Sequence, residues 1–408
     1  MVRKKSLWIF LLCLVTLVAA ALWIWTALPS QFHMVEGREE SGFLQFPFAV
    51  ELREDKVMVS EGGETAITEN IEKQQTKEAV VTFLGIPMKQ AQVHLVPESE
   101  VLAGGKVIGI ALKTEGLLVL GTGKVETAQG EQVCPASSLL QTGDVILRCN
   151  GQVMEEKEEL EDAVKDCGGE AMELLVRRED KEETVTVQPV SDQTGQYRLG
   201  VWVRDSAQGL GTVTFVDPAS GAFGALGHGV YDVDTSALLP AEEGVITESS
   251  IVGYSPGESG TPGEMTGGLK KQQQLGEVWK NTEVGVYGKA KESQYAQLVS
   301  DAYPIAFRQE VKTGPAQILS DVLGGDVEAY DVEITSVNQN GVVGQMGMVV
   351  QITDPRLLES TGGIIQGMSG SPVIQDGKLI GAVTHVFVKD PTKGYGIFIE
   401  TMLEEAAA

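Results

Sequence analysis

Short apolar and β-branched runs crowd residues 191–408, each closed by glycine or another turn residue. They are Leu199–Val203, Gly211–Val216, Val284–Tyr287, Ala329–Ile334, Met348–Ile352, Pro372–Ile374 and Leu379–Val383. Strands this short and this evenly spaced favour sheets that close on themselves, and the pattern predicts a pair of β-barrels. Few stretches read as helical, the best being Pro315–Leu323 and the C-terminal Thr401–Ala407. Residues 253–277, rich in Gly, Ser, Pro and Gln, read as a mobile loop inside this domain. The 48 glycines and 6% aromatic content suit many turns and few long helices.

The N-terminus breaks this pattern. Arg3, Lys4 and Lys5 precede an uncharged apolar run from Leu7 to Leu28. About 20 such residues span a bilayer core as a helix. The run continues past Ala19-Ala20-Ala21 to Trp23 and Trp25, which suit an interfacial belt, so an uncleaved signal anchor over 7–28 is expected. Residues 1–6 would then be cytoplasmic and the rest would lie across the membrane. The net charge of −26, from 31 Lys plus Arg against 57 Asp plus Glu, is a poor match for nucleic acid, which needs a basic face. Hydrophobic content of 42% excludes a disordered acidic polymer. Cys13, Cys134, Cys149 and Cys167 lack metal-like spacing and read as free thiols or at most one disulfide.

Between anchor and barrels, residues 29–100 read as a linker and a small β-rich module. Residues 101–190 carry a different signature: Gly143-Asp-Val-Ile-Leu147, the turn Asn150-Gly151, an amphipathic helix over Glu158–Lys165, then the strands Leu174–Val176 and Thr184–Val187. This set resembles a PDZ domain of the bacterial peptidase type. PDZ domains bind peptides by adding a strand to a sheet edge. The resemblance implies Ile108, Gly109 and Ile110 as the loop that presents backbone N–H groups to a peptide end.

The strongest chemical signal is Gln366-Gly-Met-Ser369-Gly-Ser-Pro372, followed by a hairpin through Asp376-Gly377. A serine between glycines on a tight turn suits a nucleophile, because small neighbours let backbone N–H groups face a carbonyl and hold its oxyanion. The pattern looks like the nucleophile turn of chymotrypsin-like serine peptidases, with Ser371 where glycine is usual. It is not the Gly-x-Ser-x-Gly elbow, which disfavours an esterase. Gly367 and Ser369 are the expected oxyanion donors. A serine needs a base, and the chain has four histidines. His33 and His94 read as surface or structural. His228, flanked by Gly227 and Gly229, precedes the serine in the order of the chymotrypsin type and is the expected base. His385, on the strand after the serine hairpin, reads either as a barrel residue or as part of the substrate cleft. Asp354, Asp217 and Asp331 are open candidates for the acid that orients the imidazole.

The segments Ile352–Leu358, Thr361–Pro372 and Gly381–Ile397, with Gly224-Ala-Leu-Gly-His-Gly229, together resemble the stage IV sporulation protein B peptidases of spore-forming Firmicutes. The resemblance covers the whole chain. It implies a membrane-anchored serine endopeptidase with His228, Asp354 and Ser369 as catalytic residues and no metal or nucleotide cofactor. It implies a place on the forespore membrane, facing the intermembrane space. It further implies self-cleavage, followed by cleavage of a membrane-bound regulator of an intramembrane protease, which activates a late mother-cell sigma factor. The rival expectation is a PDZ scaffold with a non-catalytic peptidase fold.

Overall fold

The computed structural model describes residues 30–35, 48–59, 75–96, 99–179, 181–239, 243–339 and 346–407. The span expected over 7–28 lies outside them. Among the described residues no helix is long and apolar enough to cross a membrane.

Two barrels of six strands dominate the chain. The first consists of β1 (Val107–Thr122), β2 (Val201–Val216), β3 (Ala222–Ala225), β4 (Glu243–Ser255), β5 (Gly263–Thr282) and β6 (Gly285–Ala290). Following the pairings round gives β1-β2-β3-β6-β5-β4, and β4 returns to β1. The second consists of β7 (Gly314–Ser320), β8 (Glu328–Val337), β9 (Met348–Ile352), β10 (Pro372–Gln375), β11 (Lys378–Phe387) and β12 (Asp390–Phe398). Its closed order is β7-β8-β9-β12-β11-β10. Both barrels thus run first, second, third, sixth, fifth, fourth. Closure removes the unpaired edges that short strands would otherwise expose. The expected barrel pair is present.

Each barrel has its own core, the first around Ile110, Val213, Phe223 and Ile246, the second around Ile318, Ile334, Val350 and Val373. A third cluster joins them: Phe215 and Tyr287 of the first barrel meet Leu379 and Ile397 of the second, and Ile399 and Met402 seal it. Those last two belong to the C-terminal helix, Ile399–Ala407, where the sequence predicts one.

Two expectations change here. The segment expected to be helical from Pro315 is β7, with Ala316 and Ile318 buried and Gln317 exposed between them, a period-2 pattern. Residues 253–277, expected as a mobile loop, are mostly the β4–β5 hairpin, paired from Gly244↔Val278 to Ser255↔Glu264.

The module expected over 101–190 is an insertion between β1 and β2. The first half of β1 pairs with the second half of β2 inside the barrel. Their outer halves, Leu118–Thr122 and Val201–Arg204, pair with each other beyond it. There they carry a separate core with Val119, Ile146, Leu160, Met172 and Leu174. It is built by the strands Val145–Cys149, Met172–Arg178 and Lys181–Val187 and by the helix α1, Lys157–Asp166. Glu156 and Glu159 form a capping box at the start of α1.

This placement overturns the expected role of Ile108, Gly109 and Ile110. They lie in the barrel half of β1, paired to Gly211, Leu210 and Gly209 on one side and to Glu248, Thr247 and Ile246 on the other. Both edges are occupied, so no peptide strand can be added there.

The described residues up to Val96 form a separate four-stranded sheet of Gln31–Val35, Phe48–Val59, Gln75–Phe83 and Ile86–Val96. His33 and His94 are register partners in it, and Thr76 bonds the His94 ring. Cys134, Cys149 and Cys167 are free thiols.

Candidate active site

One residue of β2 organises the junction of the barrels. Thr212 is fully buried. Its N–H donates to the Ser369 carbonyl at 2.9 Å, and its hydroxyl donates to the Gly367 carbonyl at 2.8 Å. Its own carbonyl accepts from the Leu226 N–H at 3.2 Å. Thr214, also fully buried, donates its hydroxyl to the Gly370 carbonyl at 2.8 Å. The serine turn of the second barrel and the histidine loop of the first are thus tied to the same short stretch of strand.

These bonds fix the peptide planes of the turn. The carbonyls of Gly367, Ser369 and Gly370 are drawn to β2. Met368 N–H donates to Ile365, Gly370 N–H to Val383, and Ser371 N–H to Met368. The Ser369 N–H has no hydrogen-bond partner among the described residues. Gly370 has φ +96°, and a Cβ there would lie 2.0 Å from the Thr212 carbonyl oxygen. Only glycine permits both the turn and the contact. Ser371, at the position where the chymotrypsin-like pattern has glycine, is fully buried.

His228 follows β3 through two left-handed residues, Leu226 (φ 69°) and Gly227 (φ 67°). A Cβ on Gly227 would lie 2.9 Å from Thr384 Cγ2 and 3.0 Å from Ile397 Cγ2, so glycine lets the loop rest on the second barrel. A left-handed leucine is strained, as residues at functional sites often are. Nδ1 of His228 donates to the Gly229 carbonyl at 2.8 Å. A carbonyl can only accept, so the neutral ring carries its proton on Nδ1 and leaves Nε2 as the acceptor. Burial at the junction holds the His228 pKa down to about 4, and neighbouring His385 pushes the same way. The ring is therefore neutral at pH 7. The His385 ring lies 4.5 Å from it, centroid to centroid, with an interplanar angle of 36°. The Ser369 hydroxyl donates to the Thr384 carbonyl at 2.6 Å.

The structure ties the turn of Gly367 and Ser369 and the loop leading to His228 to one strand, and it pairs the His228 and His385 rings. It does not bring Asp354 to His228. Asp354 caps the helix α2, Pro355–Thr361, accepting from the Arg356 N–H at 2.9 Å. Its carboxylate also pairs with the Arg356 guanidinium at 2.8 Å and accepts from the Asp331 N–H at 3.2 Å. The Arg356 hydrogen bonds, joined by backbone donors, hold its pKa down to about 2. Asp217 binds Ser220 and the Ala219 N–H in the β2–β3 turn, and Asp331 accepts from Gln317. Asp354 and Asp217 thus serve a helix cap and a turn, and Asp331 a cross-strand pair.

Sequence reasoning missed Thr212 and Thr214. Their only local signal is a pair of hydroxyls at i and i+2 in an otherwise apolar strand, both facing one side. It also missed a groove of about 630 Å³ in the inserted module, between Leu160 and Val164 of α1 and Val201–Val203 of β2. Val201–Arg204 pairs with β1 along one edge, and among the described residues no strand pairs with the other. Gly200, with φ +67°, opens this edge. The pattern Leu199-Gly200-Val201 is the same apolar-Gly-apolar signal as Ile108-Gly109-Ile110.

The family described as SpoIVB peptidase S55 matches residues 195–403, just over half the chain. No curated protein matches. Among solved structures, the PDZ domain of the SdrC-like protein from Listeria monocytogenes is 21% identical. It covers 22% of this chain and 87% of its own, with a TM-score of 0.19. The corresponding PDZ domain from Listeria innocua is 20% identical, covers 21% and 93%, and has a TM-score of 0.17.

Proposed function

Because the chain belongs to the SpoIVB peptidase S55 family and is therefore a peptidase, we propose that it is a serine endopeptidase acting through Ser369 and His228. The observation that supports this reading is the Thr212 tie, which joins the turn of a glycine-flanked serine to the loop that leads to a neutral histidine. In the proposed reaction the Ser369 hydroxyl turns from the Thr384 carbonyl toward Nε2 of His228 and attacks the scissile carbonyl. His228 takes the proton and later gives it to the leaving amine. The Gly229 carbonyl keeps Nδ1 protonated throughout. The N–H groups of Ser369 and Gly367 hold the oxyanion.

The wider role proposed is that of a signalling peptidase with an N-terminal membrane anchor and a PDZ domain. It cleaves itself, then a membrane-bound regulator of an intramembrane protease, in the space facing the mother cell. The inserted module is the PDZ domain, and its peptide edge is Val201–Val203 beside α1. That edge is continuous, along β2, with Thr212, which gives an occupied groove a direct route to the serine turn.

N-terminal sequencing of the wild-type protein beside Ser369→Ala tests the reading. The wild type is expected to be trimmed and the variant intact. If Ser369→Ala is trimmed at the same bond in a protease-free translation mix, the nucleophile is wrong.

The His228 environment predicts a pH profile. Its folded pKa lies below the ordinary value of about 6.5, so the base is active above about 4. The same shift gives stability that is fully present above about 6.5 and lost as pH falls toward the folded value. The acid limb of kcat/KM should therefore fall near pH 4, measured from about pH 3 to 8 with the folded fraction followed by circular dichroism. A limb at 6.5 would show a solvated His228.

A further inference from the structure

We propose that His385 is the positioning residue for His228, fixing by ring stacking the orientation that a carboxylate would otherwise fix; this rests on the reading of Ser369 and His228 given above. His385 lies where β11 departs from regular pairing with β12. Val383 pairs with Gly396 and Val386 with Gly394, so Thr384 and His385 sit in a bulge. Bulges re-aim side chains and are frequent beside active sites. This one has two effects on adjacent residues. It turns the Thr384 carbonyl to the Ser369 hydroxyl, 2.6 Å away, and it sets the His385 ring over His228 at 4.5 Å.

A base must hold both its tautomer and its ring plane. The Gly229 carbonyl sets the first. A single hydrogen bond at Nδ1 leaves the ring free to swing about that contact. The three aspartates that the sequence offers for that role have other partners: Asp354 has Arg356 and the Asp331 N–H, Asp217 its own turn, and Asp331 Gln317. The stacked His385 ring is the group that supplies the restraint. Tilted ring pairs at this separation are attractive, and such a contact resists the swing that the Nδ1 bond allows.

Covalent labelling of the full chain by a fluorophosphonate tests this without knowledge of the substrate. The Ser369 oxygen bonds to phosphorus, fluoride leaves, and the serine proton passes to His228. His385→Ala is expected to label about 10–100-fold more slowly, the scale of a misplaced catalytic group. His385→Phe, which keeps the ring, is expected to restore the rate to within a few-fold. Melting curves of both variants should match the wild type. Labelling of His385→Ala at the wild-type rate, or of His385→Phe as slowly as His385→Ala, overturns the inference. If the wild type labels no faster than Ser369→Ala, the serine reading fails first and takes the inference with it.

Discussion

Replacing His228 by alanine is expected to lower kcat by about 10⁴–10⁶-fold, whereas Asp354→Asn should leave kcat within about threefold of wild type. The contrast matters because the sequence resemblance implies a catalytic role for both residues. An asparagine in place of a true triad acid costs about 10⁴ in kcat by presenting the wrong tautomer. Here the tautomer is set by Gly229, and the Asp354 carboxylate faces Arg356. Asp354→Asn should act on stability instead. It keeps an oxygen for the helix cap but loses the ion pair, whose Arg356 side is half exposed, so the cost is about 1 kcal/mol after solvent screening. The Asp354 pKa is depressed on folding. Its charge therefore stabilises above the unfolded value of about 3.9 and ceases to as pH falls through about 2. The Tm gap between wild type and Asp354→Asn should close over that interval. A 10⁴-fold loss of kcat with an unchanged Tm would return Asp354 to the catalytic site.

What the sequence disclosed follows a physical division. Ser369 and His228 stand out as candidates because each sits in one contiguous, glycine-flanked stretch of the kind the proposed chemistry requires. The barrels were legible because short strands and turns recur at even spacing. Ile108-Gly109-Ile110 and Leu199-Gly200-Val201 look alike locally, and only long-range pairing makes one a doubly paired barrel strand and the other an open edge. The domain boundary at 101 failed for the same reason. β1 and β2 each belong half to the barrel and half to the inserted module, and no composition shift marks the middle of a strand. Helix propensity misled at Ala316–Leu319, where pairing with β8 and β10 overrides a weak local preference. Asp354 shows the limit of motif transfer. Spacing from Ser369 cannot reveal that the carboxylate is already bound by a residue two positions away.

Thr212→Val combined with Thr214→Val is expected to lower both stability and turnover, and the two effects should separate by temperature. Valine nearly matches threonine in shape, so the packing of β2 survives while both hydroxyls are lost. Each loss leaves a buried glycine carbonyl, of Gly367 or Gly370, without its donor. An unsatisfied buried acceptor costs about 1–3 kcal/mol. Because both carbonyls belong to the same five-residue turn, the second substitution should cost less than the first. Well below the melting temperature, the fold should persist and kcat should still fall about 10²-fold, since freed peptide planes would let the Ser369 N–H drift from the oxyanion position proposed for it. KM should change little, because both threonines are fully buried and cannot touch a substrate. Thr212→Ser, which keeps the hydroxyl, should recover most of the rate. If the double valine variant loses stability yet retains wild-type kcat at low temperature, the clamp is structural only, and the geometry of the serine turn is held by Val383 and Ile365 rather than by β2.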